Sequence, residues 1–146
     1  MIPPRFLDAN ILIRHIAGDH PTHSPAARSL IIDIEQDRIH VWTTDMMIAE
    51  VVYVLGSKKW YRLSREQIRS SVLPLINLPG IELQNKHIYE RAFEHFVAHP
   101  IDFPDAFHAA LVESRDETEL YSFDQDFDRI AGIQRREPIV HAEDLP

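Results

Sequence analysis

Short apolar runs recur along this chain, and longer stretches of helical pattern separate them. Arg5 to Leu7, His40 to Thr43, Ile81 to Leu83 and Glu119 to Ser122 each read as a strand, and Pro138 to Val140 reads as a last short one. Strands that alternate with helices cannot be joined by tight hairpins. They predict a mostly parallel sheet with helices on both faces, a three-layer α/β/α arrangement. The 146 residues suit one domain with one core, and 45% hydrophobic content argues against disorder.

The intervening helices carry their own start and stop signals. Asn10 to Ala17 ends at Gly18. Pro25 to Gln36 has Ser24 as its expected N-cap. Thr44 or Asp45 caps an apolar helix, Met46 to Leu55, that ends at Gly56. Ser64 and Gln67 have the spacing of a capping box, opening a helix to about Ile76. Lys86 to Ala98 and Pro104 to Ser114 are two more helices, and Phe127 to Ile130 is a helical turn.

Four acids fall near the carboxyl ends of the expected strands, where open α/β sheets bind ligands. Asp8 follows the first strand in the stretch FLDANIL, and Asp124 lies two residues beyond Ser122. Asp105 sits in the first turn of its helix. Glu50 lies roughly 7 Å into the Met46 helix at 1.5 Å per residue. Its neighbours Met46, Met47, Ile48, Ala49, Val51, Val52, Val54 and Leu55 are all apolar. A helix apolar nearly all round is expected to be buried. A buried Glu50 then needs a partner: a backbone donor, a distant Arg, or a cation shared with other carboxylates. Clustered carboxylates without thiolates favour a hard ion with oxygen ligands, Mg2+ or Mn2+, and the chain has no cysteine. Such an ion suits phosphate chemistry.

In this order FLDANIL, IAEVVYVL, DFPDAFHAAL and YSFDQDF resemble the motifs of PIN-domain ribonucleases, most closely the VapC-type toxins of toxin–antitoxin pairs. The likeness covers nearly the whole chain, 1–146, as a single PIN domain. It implies metal-dependent cleavage of RNA, with Asp8, Glu50, Asp105 and Asp124 as the acids that hold the metal. Asn10 matches the small polar residue that orients the first acid. Ser122 stands where the family often has Thr. Asp102 competes with Asp105 but reads better as a helix N-cap. Asp126 and Asp128 compete with Asp124, and either serve a second metal or meet solvent. The resemblance also implies a homodimer and a cognate antitoxin whose tail covers the active-site groove.

The net charge of −8 argues against a nucleic-acid partner when read globally. Locally, Lys58, Lys59, Arg62, Arg65 and Arg69 face only Glu66, so this strip carries +4 and the rest of the chain −12. The strip is either a solvated helix face or a contact for RNA. Trp60 and Tyr61 lie within it, where aromatics stack on unpaired bases or pack against a protein. Val72, Leu73, Leu75 and Ile76 read as core by default, or as contacts for an antitoxin or a second copy. Nine histidines occur, including His95 and His99 at i,i+4, yet no HExxH or Cys pair completes a zinc site. A GxSxG elbow and a Gly-rich phosphate loop are both missing. A phosphoacceptor receiver domain expects paired acids after its first strand and a late Lys, whereas Lys86 is the last lysine here. No apolar run reaches bilayer length, and the first ten residues lack a signal-peptide layout, so the expected location is cytoplasmic, away from membranes. Kept beside the nuclease reading are a non-catalytic PIN module that binds RNA or protein and an RNA-processing PIN nuclease without an antitoxin.

Overall fold

The computed structural model describes residues 2–146. The chain packs as two compact units, Met1–Glu90 and Arg91–Pro146. The first contains, in order, β1 (Arg5–Phe6), α1 (Ala9–Ala17), α2 (His23–Glu35), β2 (Val41–Trp42), α3 (Asp45–Gly56), α4 (Arg65–Ile76) and β3 (Ile81–Glu82). Its strands pair in parallel in the order β1-β2-β3, with Val41 opposite both Arg5 and Ile81. Two helices fill each connection, as parallel pairing demands of a crossover. The ladder runs on past the strands, because Leu7 N–H donates to Trp42 at 2.8 Å and Thr43 N–H to Glu82 at 3.0 Å. The Thr43 hydroxyl, buried between neighbours, donates to the Leu7 carbonyl at 2.9 Å.

The helices begin where short polar side chains can accept their orphaned N–H groups. The Asp8 carboxylate accepts from Asn10 N–H at 3.0 Å, Thr44 from Met47 N–H at 3.3 Å, and Ser64 and Gln67 cap each other's backbone at 3.1 and 2.8 Å. α1 ends at Gly18, whose φ of 64° is the left-handed conformation that glycine adopts without cost. Leu12, Ile31, Ile48, Leu55, Ile68 and Val72 are among the side chains that form this unit's core. Each contributes on the order of 1.5–3 kcal/mol by leaving water. Gly80, just before β3, sits so close to α2 that an added Cβ would meet Ile34 Cγ2 at 2.9 Å.

A 3-10 turn, Lys86–Ile88, leads into α5 (Tyr89–Ala98), and the second unit continues with α6 (Phe103–Ser114), β4 (Glu119–Tyr121) and β5 (Gln134–Arg136). β4 and β5 pair in parallel with Glu119 opposite Gln134. Phe93, Phe96 and Phe103 form an aromatic core whose ring centroids lie 5.1–6.2 Å apart. His95, buried, contacts Glu113, which also accepts from Arg91 at 2.9 Å.

The α/β class with parallel strands flanked by helices is as expected, but several boundaries differ. α2 starts at His23 with Thr22 as its cap residue, and Ser24 instead accepts from His20 N–H at 3.1 Å. The helix expected from Lys86 opens as a 3-10 turn, with the Lys86 ammonium donating to the carbonyls of Leu78 and Ile81 at 2.6 and 2.9 Å. The last strand is Gln134–Arg136, not Pro138 to Val140. Among the described residues no helix is long and apolar enough to cross a membrane.

Candidate functional site

The 3-10 turn Gln125–Arg129 after β4 begins at Asp124, and the chain there is tied to itself. Asp124 N–H donates to the Ser122 hydroxyl at 2.9 Å, and Asp124 Oδ1 accepts from Asp126 N–H at 2.9 Å. These bonds fix both carboxylates on one short loop. α6 supplies Asp105 from its first turn, which begins beyond Asp102 and carries Pro104 early in the helix. Asp105, Asp124 and Asp126 each offer an oxygen within 4.8 Å of the others.

Carboxylates this close repel one another unless something neutralises them. Asp105 is half-buried, and burial pushes its carboxyl above the ordinary range. The charges of Asp124, Asp102 and Asp126 push the same way, as does a hydrogen bond with Asp124. Burial first and crowding second thus push Asp105 toward its neutral form, and a nearby positive charge would relieve both. The donors are all hard oxygens, and the chain has no cysteine to offer a softer ligand. The cluster therefore fits a hard divalent cation.

The other sequence candidates fall elsewhere in the two units. Asp102 occupies the N-cap position of α6, but its exposed side chain makes no capping bond and adds negative charge to the cluster. Asp128 is held by Arg135, both oxygens at 3.1 Å from guanidinium nitrogens, while Asp126 joins the cluster. Ser122 positions Asp124. In the first unit, Asp8 and Asn10 are exposed at the start of α1.

Glu50 is exposed, contrary to the expectation of a buried carboxylate. α3 turns only Ile48, Val51, Val52 and Leu55 fully inward, and Met46 and Tyr53 stand 79% and 74% exposed on the same stripe as Glu50. Apolar composition alone did not make the helix buried on every side. Glu50 instead lines a cavity of about 380 Å³ with Asn10 and Arg14 of α1 and Trp60 and Tyr61 of the following turn. That grouping went unread in the sequence. Its trace was there, since Asn10 and Arg14, like Glu50 and Val54, stand one helical turn apart.

In the basic strip, Lys58, Lys59 and Arg62 are exposed. Lys59 lies over the Trp60 ring at 5.7 Å, and Arg62 Nε donates to the Lys58 carbonyl at 2.6 Å. Arg65 opens α4, and Arg69 reaches Glu66 at 3.6 Å. Val72, Leu75 and Ile76 are core, as expected, whereas Leu73 is only half-buried. His95 is a buried partner of Glu113, and the three aspartates are the only group of three or more potential metal ligands found among the described residues.

No curated protein matches the chain. The crystal structure of VapC20 of Mycobacterium tuberculosis, a toxin that cleaves the sarcin–ricin loop, is similar over 86% of this chain and 93% of that one, at 19% identity and a TM-score of 0.38. The strands β1 to β4, the helices between them and the acids Asp105, Asp124 and Asp126 all lie within residues 5–133, which the PIN domain family model matches, and the chain belongs to that family.

Proposed function

We propose that the chain is a Mg2+- or Mn2+-dependent endoribonuclease of the VapC type, the toxin of a toxin–antitoxin pair. The observation that carries this reading is the crowding of Asp105, Asp124 and Asp126 within 4.8 Å in a PIN-domain chain. Such a cluster is costly to maintain without a cation and useful with one. A bound divalent ion would polarise a phosphoryl oxygen and make a water more acidic, which is the chemistry that phosphodiester hydrolysis needs.

The chain's own part is positional. Asp105, Asp124 and Asp126 would hold the ion, with Ser122 and the Asp126 backbone orienting Asp124. None forms a covalent intermediate. Asp8 and Glu50 are assigned to the same reaction on the likeness of FLDANIL and IAEVVYVL, with Asn10 orienting Asp8. Lys58, Lys59, Arg62 and Arg65 are assigned to the RNA backbone, whose phosphates attract clustered cations. The reading extends to one PIN domain over 1–146, a homodimer, a cognate antitoxin and a cytoplasmic location.

Incubating structured RNA with Mg2+ and wild-type protein, Asp8→Ala or Asp105→Asn tests it. Cleavage by the wild type alone is expected. Equal activity in all three would overturn the assignment of these acids. Titration with Mn2+ is expected to saturate below millimolar metal, and no binding there would favour a non-catalytic module. A small DNA-binding partner in the adjacent reading frame is expected for a toxin, whereas its absence favours an RNA-processing nuclease.

A further inference from the structure

We propose that the cavity between α1, α3 and the turn at 57–62 holds one unpaired nucleobase of the RNA. This rests on the nuclease reading above and deepens it, because the same Glu50 assigned to the reaction lines the cavity.

The cavity has the make-up of a base-binding pocket. Ile13 and Val54 give it an apolar floor, and Trp60 and Tyr61 give it aromatic walls. Asn10, Arg14 and Glu50 supply polar groups at its edges. Its volume of about 380 Å³ is near the lower end of small-ligand sites, suited to one base rather than a whole nucleotide chain. Trp60 is 56% exposed, and the Lys59 ammonium lies over its ring at 5.7 Å. Stacking a base on the ring would remove exposed surface and is tolerant of sequence, since every base has a π-face.

The walls are also set in place beforehand. The Tyr61 hydroxyl donates to Asp19 at 3.1 Å, and Asp19 pairs with Arg14 at 3.7 Å, which ties the turn to α1. Trp60 N–H and Arg62 N–H both donate to the Ser57 carbonyl at 3.1 Å. Arg62 holds φ at 51°, a strained value for a side-chain-bearing residue, and its own bond to Lys58 supports it. A preformed site loses less freedom on binding. The charge around it selects the occupant. Lys58 and Lys59 stand exposed beside Trp60, so a strand with its base in the cavity can lay phosphates on two cations. An apolar side chain of a protein would gain nothing from them.

The test uses the full chain without divalent metal, so that RNA binds and is not cut. Trp60 and Trp42 are the two tryptophans, so Trp42→Phe makes Trp60 the sole reporter. Short unstructured RNA is expected to quench Trp60 fluorescence, and the same RNA with an abasic residue or in a duplex is not. Trp60→Ala is expected to weaken binding of labelled RNA by roughly tenfold or more, with Trp60→Phe restoring most of it. Unchanged fluorescence at RNA concentrations that saturate the anisotropy signal would overturn the proposal. So would equal quenching by abasic RNA, or quenching by an antitoxin-derived peptide but by no RNA. Failure of the nuclease reading looks different: wild-type protein with Mg2+ would leave RNA intact whatever Trp60 reports.

Discussion

Asp45 and Asp105 both stand in the first turn of a helix, yet their surroundings are opposite. Asp45, half-buried at the start of α3, accepts from the Tyr89 hydroxyl at 2.5 Å and from Asn85 at 2.8 Å. Burial and the bond to Asp45 push the Tyr89 phenol far upward, so it remains a donor at any physiological pH. Asp105 meets Asp124 and Asp126 instead. One carboxylate is satisfied by the protein, and the other is opposed by it. A folded chain keeps the first kind for stability. The second kind is what a bound cation would relieve.

The largest expected effect separates the two sites by activity. Asp105→Asn should lower RNA cleavage at least about a hundredfold, more than is usual for losing a group outside the metal's own ligands. Tyr89→Phe should leave kcat within a few-fold, and equal losses in both variants would erase the contrast. Next in size is a stability effect on the other side. Tyr89→Phe strips a bond from a half-buried carboxylate and should cost about 1.5–3 kcal/mol in a urea titration. No change would mean that Asp45 is as solvated as a surface acid.

A smaller effect has the opposite sign. Asp105→Asn removes a charge from a crowded cluster, so the metal-free protein at neutral pH should melt slightly higher than wild type. Added Mg2+ should then stabilise the variant less than the wild type. A lower melting temperature would show that repulsion is not what Asp105 experiences. The smallest concerns a carboxylate of the satisfied kind. Burial pushes Glu113 up, but Arg91 and His95 outweigh it and hold its carboxyl below the ordinary 4.5. A group held low when folded stabilises above its unfolded value and loses that contribution as pH falls through the folded one. Stability should therefore drop in the range below 4.5, and Glu113→Gln should flatten that drop in melting curves taken across acid pH.

What the sequence disclosed, and what it hid, divides along a physical line. Caps are local: Ser64 with Gln67, Thr44 before α3 and Gly18 after α1 are read from a few adjacent residues, and all stand as expected. The motifs around Asp105 and Asp124 were legible because they are short and ordered. β5 was not, because Gln134–Arg136 has no apolar alternation. It is held by Ser122 N–H on the Arg136 carbonyl at 3.0 Å and by Arg136 on Glu119 at 2.6 Å, a ladder of polar bonds that hydrophobic pattern cannot report. The burial expected of Glu50 failed for the converse reason. A helix rich in apolar residues still has a face, and only packing decides that Met46, Glu50 and Tyr53 share the exposed one. Asp126 and Asp128, two residues apart, could be separated only by the reach of Arg135 from β5.

The close approach at Gly80 bears on how such a chain can change over generations. Any side chain at that position collides with Ile34, and the Ile34 carbonyl lies only 3.2 Å from where its Cβ would be. Trimming Ile34 relieves the first contact but not the second, which is backbone. A residue at 80 would then need the backbone of α2 to give by a few tenths of an ångström, and α2 is packed on α1, the helix that Asp8 caps. A glycine at the foot of β3 thereby restrains the lineage near Asp8, and variants accepted at 80 should arrive only with compensating changes along α2.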